Sequence, residues 1–121
     1  YMSFKTLLAY EKGFALAMDI LELSKTFPKE ETYSLTDQIR RSSRSVCANI
    51  AEAYRKRKYE KHFISKLTDS DAENSETQVW LQFAKASGYI SEEIETDLNN
   101  RSEEIGKLIN YMIDNPSKFG V

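Results

Sequence analysis

Between Leu35 and Tyr54, the positions Leu35, Ile39, Ser42 or Ser43, Val46, Ile50, and Ala53 or Tyr54 recur at steps of three and four. A stripe of that spacing, kept up for about five turns, suits a helix with one buried side; a strand would alternate every second residue. The same period appears in three other segments. From Leu8 to Thr26, Phe14, Ala17, Met18, Leu21 and Lys25 share one side, and Leu16, Ile20, Leu23 and Phe27 widen it into a broad apolar face. From Tyr59 to Ser87, Phe63 and Leu67 lead into Ser70, Asn74 and Gln78 before Leu81, while Ala72, Val79, Phe83 and Ala86 gather on a second side. From Ser91 onward, Ile94, Leu98, Arg101, Ile105, Leu108 and Met112 form a seam with Arg101 as its one polar member.

The breaks between these segments carry their own chemistry. Pro28 ends the first, because a proline disfavours helical backbone in the residue before it and has no N–H to donate. Gly88 suits the left-handed residue that closes many helices, and Ser91 with Glu92 and Glu93 suits the start of the next. Asn115-Pro116 stops the last. Four helices joined by short connections pack as antiparallel neighbours, so the expected fold is all-α, an up-down-up-down four-helix bundle. The 121 residues fit one domain covering 1–121, and only four Gly and two Pro agree with a helical chain.

No apolar run approaches the roughly 20 residues that span a bilayer, so no membrane partner is expected. Tyr1-Met2-Ser3-Phe4 lacks the basic start and apolar stretch of a secretory signal, which leads to a cytoplasmic expectation. Cys47, the single cysteine, sits between Val46 and Ala48 and reads as a small packing residue.

Chemistry of the enzymatic kind finds little footing. A di-metal bundle needs Glu-x-x-His pairs, and His62, the one histidine, has no glutamate three residues before it. Asp69, Glu73 and Glu76 share a helical face and read as a solvated acidic surface. The run from Asp69 to Trp80 resembles a calcium loop only at Asp69 and Asp71, with Asn74 where glycine is needed and Trp80 where glutamate is needed. No glycine-rich phosphate loop or serine elbow occurs. The expectation is a non-enzymatic protein with no metal and no cofactor. Ser42, Ser43, Asn49, Asn74 and Gln78 near the inward sides of the second and third helices fit a hydrogen-bonded layer that sets register, with a small-molecule pocket as the competing reading.

The net charge of −2 conceals a segregation. Arg40, Arg41, Arg44, Arg55, Lys56, Arg57, Lys58, Lys61 and Lys66 face only Glu52 and Glu60 between positions 40 and 66, and the balance then reverses from Leu67 to Glu104. On a 100° wheel Arg44 and Arg55 lie about 20° apart, with Ala48 and Ala51 between them, opposite the Leu35–Ile50 stripe. Three readings fit. The arginines and the Arg55–Lys61 cations grip phosphates; or the small alanines admit another helix or subunit; or the cations merely favour a helix C-terminus and water.

The run LTDQIRRSSRSVCANIAEAYRKR from Leu35 to Arg57, preceded by FPKEETY and followed by Phe63, Leu67, Glu76 and GYIS at Gly88–Ser91, resembles a four-helix bundle family. That family is named for proteins encoded in intervening sequences of large-subunit ribosomal RNA genes. The resemblance implies a non-enzymatic antiparallel bundle that often assembles into a ring-shaped homopentamer. A similar protein, the accessory variability protein of diversity-generating retroelements, is basic and engages nucleic acid and a reverse transcriptase. By that likeness Arg40, Arg41, Arg44, Arg55, Lys56, Arg57, Lys58 and Lys61 become RNA or DNA contacts, with a protein partner as the alternative. The chain departs from the family at Ala53, where many relatives have glycine, at Asp71 and Asn74, where others carry aliphatics, and in its acidic overall balance.

Overall fold

A computed structural model of the protein describes residues 3–121. Tyr1 and Met2, on which the expectation of no secretory leader partly rests, lie outside the described residues. The four expected helices are α1 (Leu8–Ser24), α2 (Leu35–Arg55), α3 (Glu60–Ala86) and α4 (Glu92–Asp114), with short 3₁₀ turns at Phe4–Thr6, Lys29–Glu31 and Pro116–Phe119. The described residues contain no strand.

The helices close into a square in which α1 packs on α2 and α4, and α3 packs on α2 and α4. Cross-helix contacts fix the directions. Along α2, Ser42 meets Thr77, Val46 meets Ser70 and Glu52 meets Lys66 on α3, so the partner number falls as the α2 number rises. Lys12 and Asp19 of α1 likewise pair with Glu104 and Arg101 of α4. Neighbours are therefore antiparallel, as short connections demand.

Three helix ends follow the sequence cues. Gly88 takes φ +80, its N–H bonds to the Lys85 carbonyl, and the Tyr89 N–H reaches the Ala84 carbonyl, the paired bonds that close a helix through a left-handed residue. The Ser91 hydroxyl accepts the Ile94 N–H at 3.1 Å. Asn115-Pro116 ends α4. Helix α1 stops earlier than Thr26 because the N–H groups of Lys25, Thr26 and Phe27 bond to carbonyls three residues back, tightening the chain before Pro28.

The core draws on all four helices and includes Ile20, Ile39, Ile50, Phe63, Leu67, Leu81, Ile105 and Ile109, each fully buried. The inward stripe of α2 is the expected one. Two other stripes need correction. Helix α1 buries Ala9, Gly13, Leu16, Ala17, Ile20 and Ser24, and turns Phe14 and Met18 outward. Its apolar face is wider than one bundle interior covers, so its two halves have different fates. On α4 the inward seam is Leu98, Ser102, Ile105, Ile109 and Met112, which leaves Ile94 exposed and Arg101 at the edge, paired with Asp19 at 2.7 Å.

Polar residues of the interior form the register layer, and the space between Ser43, Asn74 and Thr77 is too small to admit a water molecule. Ser42 Oγ and Thr77 Oγ1 lie 2.9 Å apart, and Ser70 donates to the Val46 carbonyl. Asn74 Nδ2 donates to the Ser102 carbonyl at 2.8 Å, Ser102 Oγ donates to Asn74 Oδ1 at 2.8 Å, and Gln78 Nε2 donates to Ser102 Oγ. Among the described residues no buried side-chain polar atom lacks a partner. Because a hydrogen bond tolerates little sliding, each pair selects one register between helices that leucine alone would allow to slip. Asn49 stands outside this layer and bonds along its own helix, to the Ser45 carbonyl.

Candidate nucleic-acid interface

The outward side of α2 carries Arg41, Arg44, Ala48, Ala51 and Arg55, as the periodicity requires. Packing then divides the eight expected cations into groups with different chemistry. Arg41 leans toward α3. Its Nη1 donates to Glu73 Oε2 at 2.8 Å, and its Nη2 donates to both carboxylate oxygens of Glu76 at 2.8 Å. Trp80 Nε1 donates to Glu76 from the other side. These bonds to Glu73 and Glu76 hold the Arg41 guanidinium protonated beyond its ordinary range. Burial pushes the Glu73 carboxyl up, but its clamp partners, the Arg41 charge included, hold it below its ordinary value. The acidic face of α3 is thus partly an intramolecular counterpart to the arginines.

Arg40 leans the opposite way, toward α1, where its Nε donates to Ser24 Oγ at 2.7 Å. Arg44 lies between them. It borders a shallow polar depression with Asp37, Arg40 and Arg41, and it also borders an apolar groove between α1 and α2 formed by Tyr10, Phe14, Met18, Ala48 and Ala51. Phe14 is 52% exposed there. The second side of α3 is also open to solvent, with Val79 at 44% and Phe83 at 56%.

The remaining cations gather where α2 turns into α3. The α2 C-terminus leads through Lys56, Arg57 and Lys58 to Tyr59, with the Tyr59 N–H bonded to the Lys56 carbonyl. Arg55, Lys56, Lys58 and Lys61 are exposed. None of them has an ion-pair partner among the described residues. Arg57 is held differently. Its guanidinium carbon stacks 3.5 Å from the Tyr54 ring centroid, its Nε donates to the Tyr54 carbonyl at 2.7 Å, and its Nη1 donates to the Phe119 carbonyl at 3.3 Å. Sequence periodicity gave no sign of the Phe119 contact, because Phe119 lies 62 positions away and the last residues carry no strong pattern, whereas the Tyr54 contacts, three residues back, were within its reach.

Fold and surface together define a class: an all-α antiparallel bundle with a hydrogen-bonded polar core layer, a cation-rich end and two uncovered apolar strips. Residues 5–111 match the model of the 23S rRNA-intervening sequence protein family, and the chain belongs to that family. Among solved structures it is similar to a protein of unknown function from the S23 ribosomal protein family of Bacteroides thetaiotaomicron VPI-5482. The two are 33% identical, the match covers 88% of this chain and 96% of the other, and the TM-score is 0.80. A search of curated proteins returned no match. No helix among the described residues is long and apolar enough to cross a membrane.

Proposed function

We propose that this protein is a non-enzymatic, cytoplasmic homo-oligomeric adaptor that contacts RNA or DNA through the cationic end of the bundle. The observation that carries the nucleic-acid reading is the convergence of Arg55, Lys56, Lys58 and Lys61 at one end with no acidic partner among the described residues. A group of unneutralised cations on a chain of net charge −2 is a local attraction for phosphates, and it gains further from counterion release. Arg41 contributes less, since its donors already serve Glu73 and Glu76.

Assembly is supported by the two apolar strips. The α1–α2 groove and the Val79–Phe83 side of α3 are different surfaces, and a head-to-tail contact between unlike surfaces builds a ring when the rotation between copies closes, an open filament when it does not. The homopentamer implied by the family resemblance is such a ring. The alternative, a purely structural protein–protein module, is favoured by Arg44, which stands beside Ala48 on the rim of the apolar groove.

Solution mass by light scattering, combined with nucleic-acid binding over a salt series, tests both readings. Under the first, Arg55→Gln with Lys58→Gln weakens binding and flattens its salt dependence while the mass stays constant. Under the second, Arg44→Ala lowers the mass. Absence of binding at low salt removes the nucleic-acid part.

A further inference from the structure

The cationic end is not a flat patch. The N-terminal 3₁₀ turn, the end of α2 and the C-terminal segment wall a cleft of about 450 Å³ lined by Phe4, Tyr54, Arg55, Arg57, Lys58 and Gly120. We infer that this cleft is a receptor for a phosphate monoester, the charged terminus of a polynucleotide strand, and not a track for continuous backbone. The inference rests on the nucleic-acid reading above and specifies its chemistry.

Three observations carry it. First, Arg57 is preorganised. Of its five N–H groups, Nε and one on Nη1 are spent on the Tyr54 and Phe119 carbonyls, and stacking on Tyr54 fixes the plane of the fork. Arg57 lines the cleft with its guanidinium already held in place, so its alignment costs little side-chain entropy when an anion arrives. Second, the approach of the C-terminal segment depends on Gly120. It adopts φ +87, and an added Cβ would lie 2.9 Å from Arg57 Nη1, so a larger residue there would be strained and would push the guanidinium aside. Third, Arg55 and Lys58 supply two further positive charges on the same walls, and neither has an ion-pair partner among the described residues.

The shape and charge select the ligand. A monoester carries about −1.5 to −2 charge at neutral pH, whereas each internal diester carries a single charge, and three cations around one concavity match the denser ion. A cleft walled by three chain segments admits a strand terminus more readily than a strand passing through. Phe4 on the same wall offers an apolar surface to the sugar or base behind the phosphate.

Fluorescence anisotropy with one 12-nucleotide single-stranded RNA made with a 5′-phosphate, a 3′-phosphate or hydroxyls at both ends decides the matter. We expect at least one phosphorylated form to bind about tenfold more tightly than the hydroxyl form, the gain of one or two charge-assisted bonds. Arg55→Gln and Lys58→Gln, both exposed and outside the core, should each reduce that difference; Arg57→Lys should abolish most of it, since lysine lacks the planar fork. Competition by adenosine 5′-monophosphate with equal affinity would assign the cleft to free nucleotides, within the same chemistry. Equal binding of all three RNAs overturns the inference and leaves the strand-binding reading intact. If none of the RNAs binds at low salt, that broader reading fails. The cleft is then decided by NMR titration with adenosine 5′-monophosphate: shifts at the Arg57 Nε–H and Gly120 amide support it, and unmoved signals overturn it.

Discussion

Replacing Asn74 by alanine removes the centre of the α3–α4 register layer. Two bonds of 2.8 Å disappear, one from Nδ2 to the Ser102 carbonyl and one from Ser102 Oγ to Oδ1, at a site only 3% exposed. At about 1 kcal/mol net for each buried bond, with about 1 kcal/mol more for the void, the loss should come to about 3 kcal/mol. Ser102→Ala should cost about 1–2 kcal/mol, because Gln78 sits at the edge of the layer and can turn its amide to water. The double variant should cost about 1–2 kcal/mol less than the sum, since the second change removes a hydroxyl that the first had already deprived of its Oδ1 acceptor. Urea unfolding followed by circular dichroism at one protein concentration provides the numbers, the fixed concentration holding any assembly contribution constant. Additivity to within about 0.5 kcal/mol would refute the account of Asn74 and Ser102 as a coupled pair.

Other expectations concern charge, pH and the surface. Arg41→Met should destabilise by no more than about 1 kcal/mol, and less at high salt, because Arg41 is 46% exposed and its pairs with Glu73 and Glu76 are screened. Glu31 accepts bonds from Ser34, Tyr89 and the Leu35 N–H, which hold its carboxyl below the ordinary value of 4.5. A carboxyl with a depressed folded-state pKa stabilises fully above its unfolded value and loses that contribution as pH falls through the folded one. Glu31→Gln should therefore flatten the stability profile below about pH 4.5, as thermal melts across pH would register. Burial pushes the Cys47 thiol up to about 11, so iodoacetamide should label the native protein slowly at pH 8 and rapidly in urea. Phe83→Glu places a charge on the exposed side of α3 and should lower the solution mass with little loss of helicity; an unchanged mass would exclude that side from assembly.

Much of the architecture could be read without coordinates because it depends on local chemistry. The stripe from Leu35 to Ile50 needs one side of a helix buried, and Gly88, Ser91 and Pro116 each terminate or start a helix by backbone rules that act within a few residues. The polar positions Ser42 and Asn74 were legible as a register layer for the same reason: polar groups on an inward stripe must find partners; Ser43, expected in that layer too, bonds instead to the Ile39 carbonyl of its own helix. Less visible was which half of the α1 apolar face turns inward. Leu16 and Ile20 compete there with Phe14 and Met18, and only the positions of α2 and α4 decide between them.

The candidate site shows the same division. The sequence by itself determined that Arg40, Arg41, Arg44 and the Arg55–Lys61 cations lie on α2, its exit and the first turn of α3, away from the Leu35–Ile50 stripe, since helical geometry allows nothing else. Only the tertiary structure decided their separate roles. It set Glu73 and Glu76 against Arg41, Ser24 against Arg40, and the Phe119 carbonyl against Arg57, and it left Arg55, Lys56, Lys58 and Lys61 without acidic partners among the described residues. The physical reason is range. A helical repeat dictates which side of its own helix a residue occupies, whereas the neutralisation of a charge depends on side chains brought within a few ångströms by packing, from positions tens of residues away in the chain.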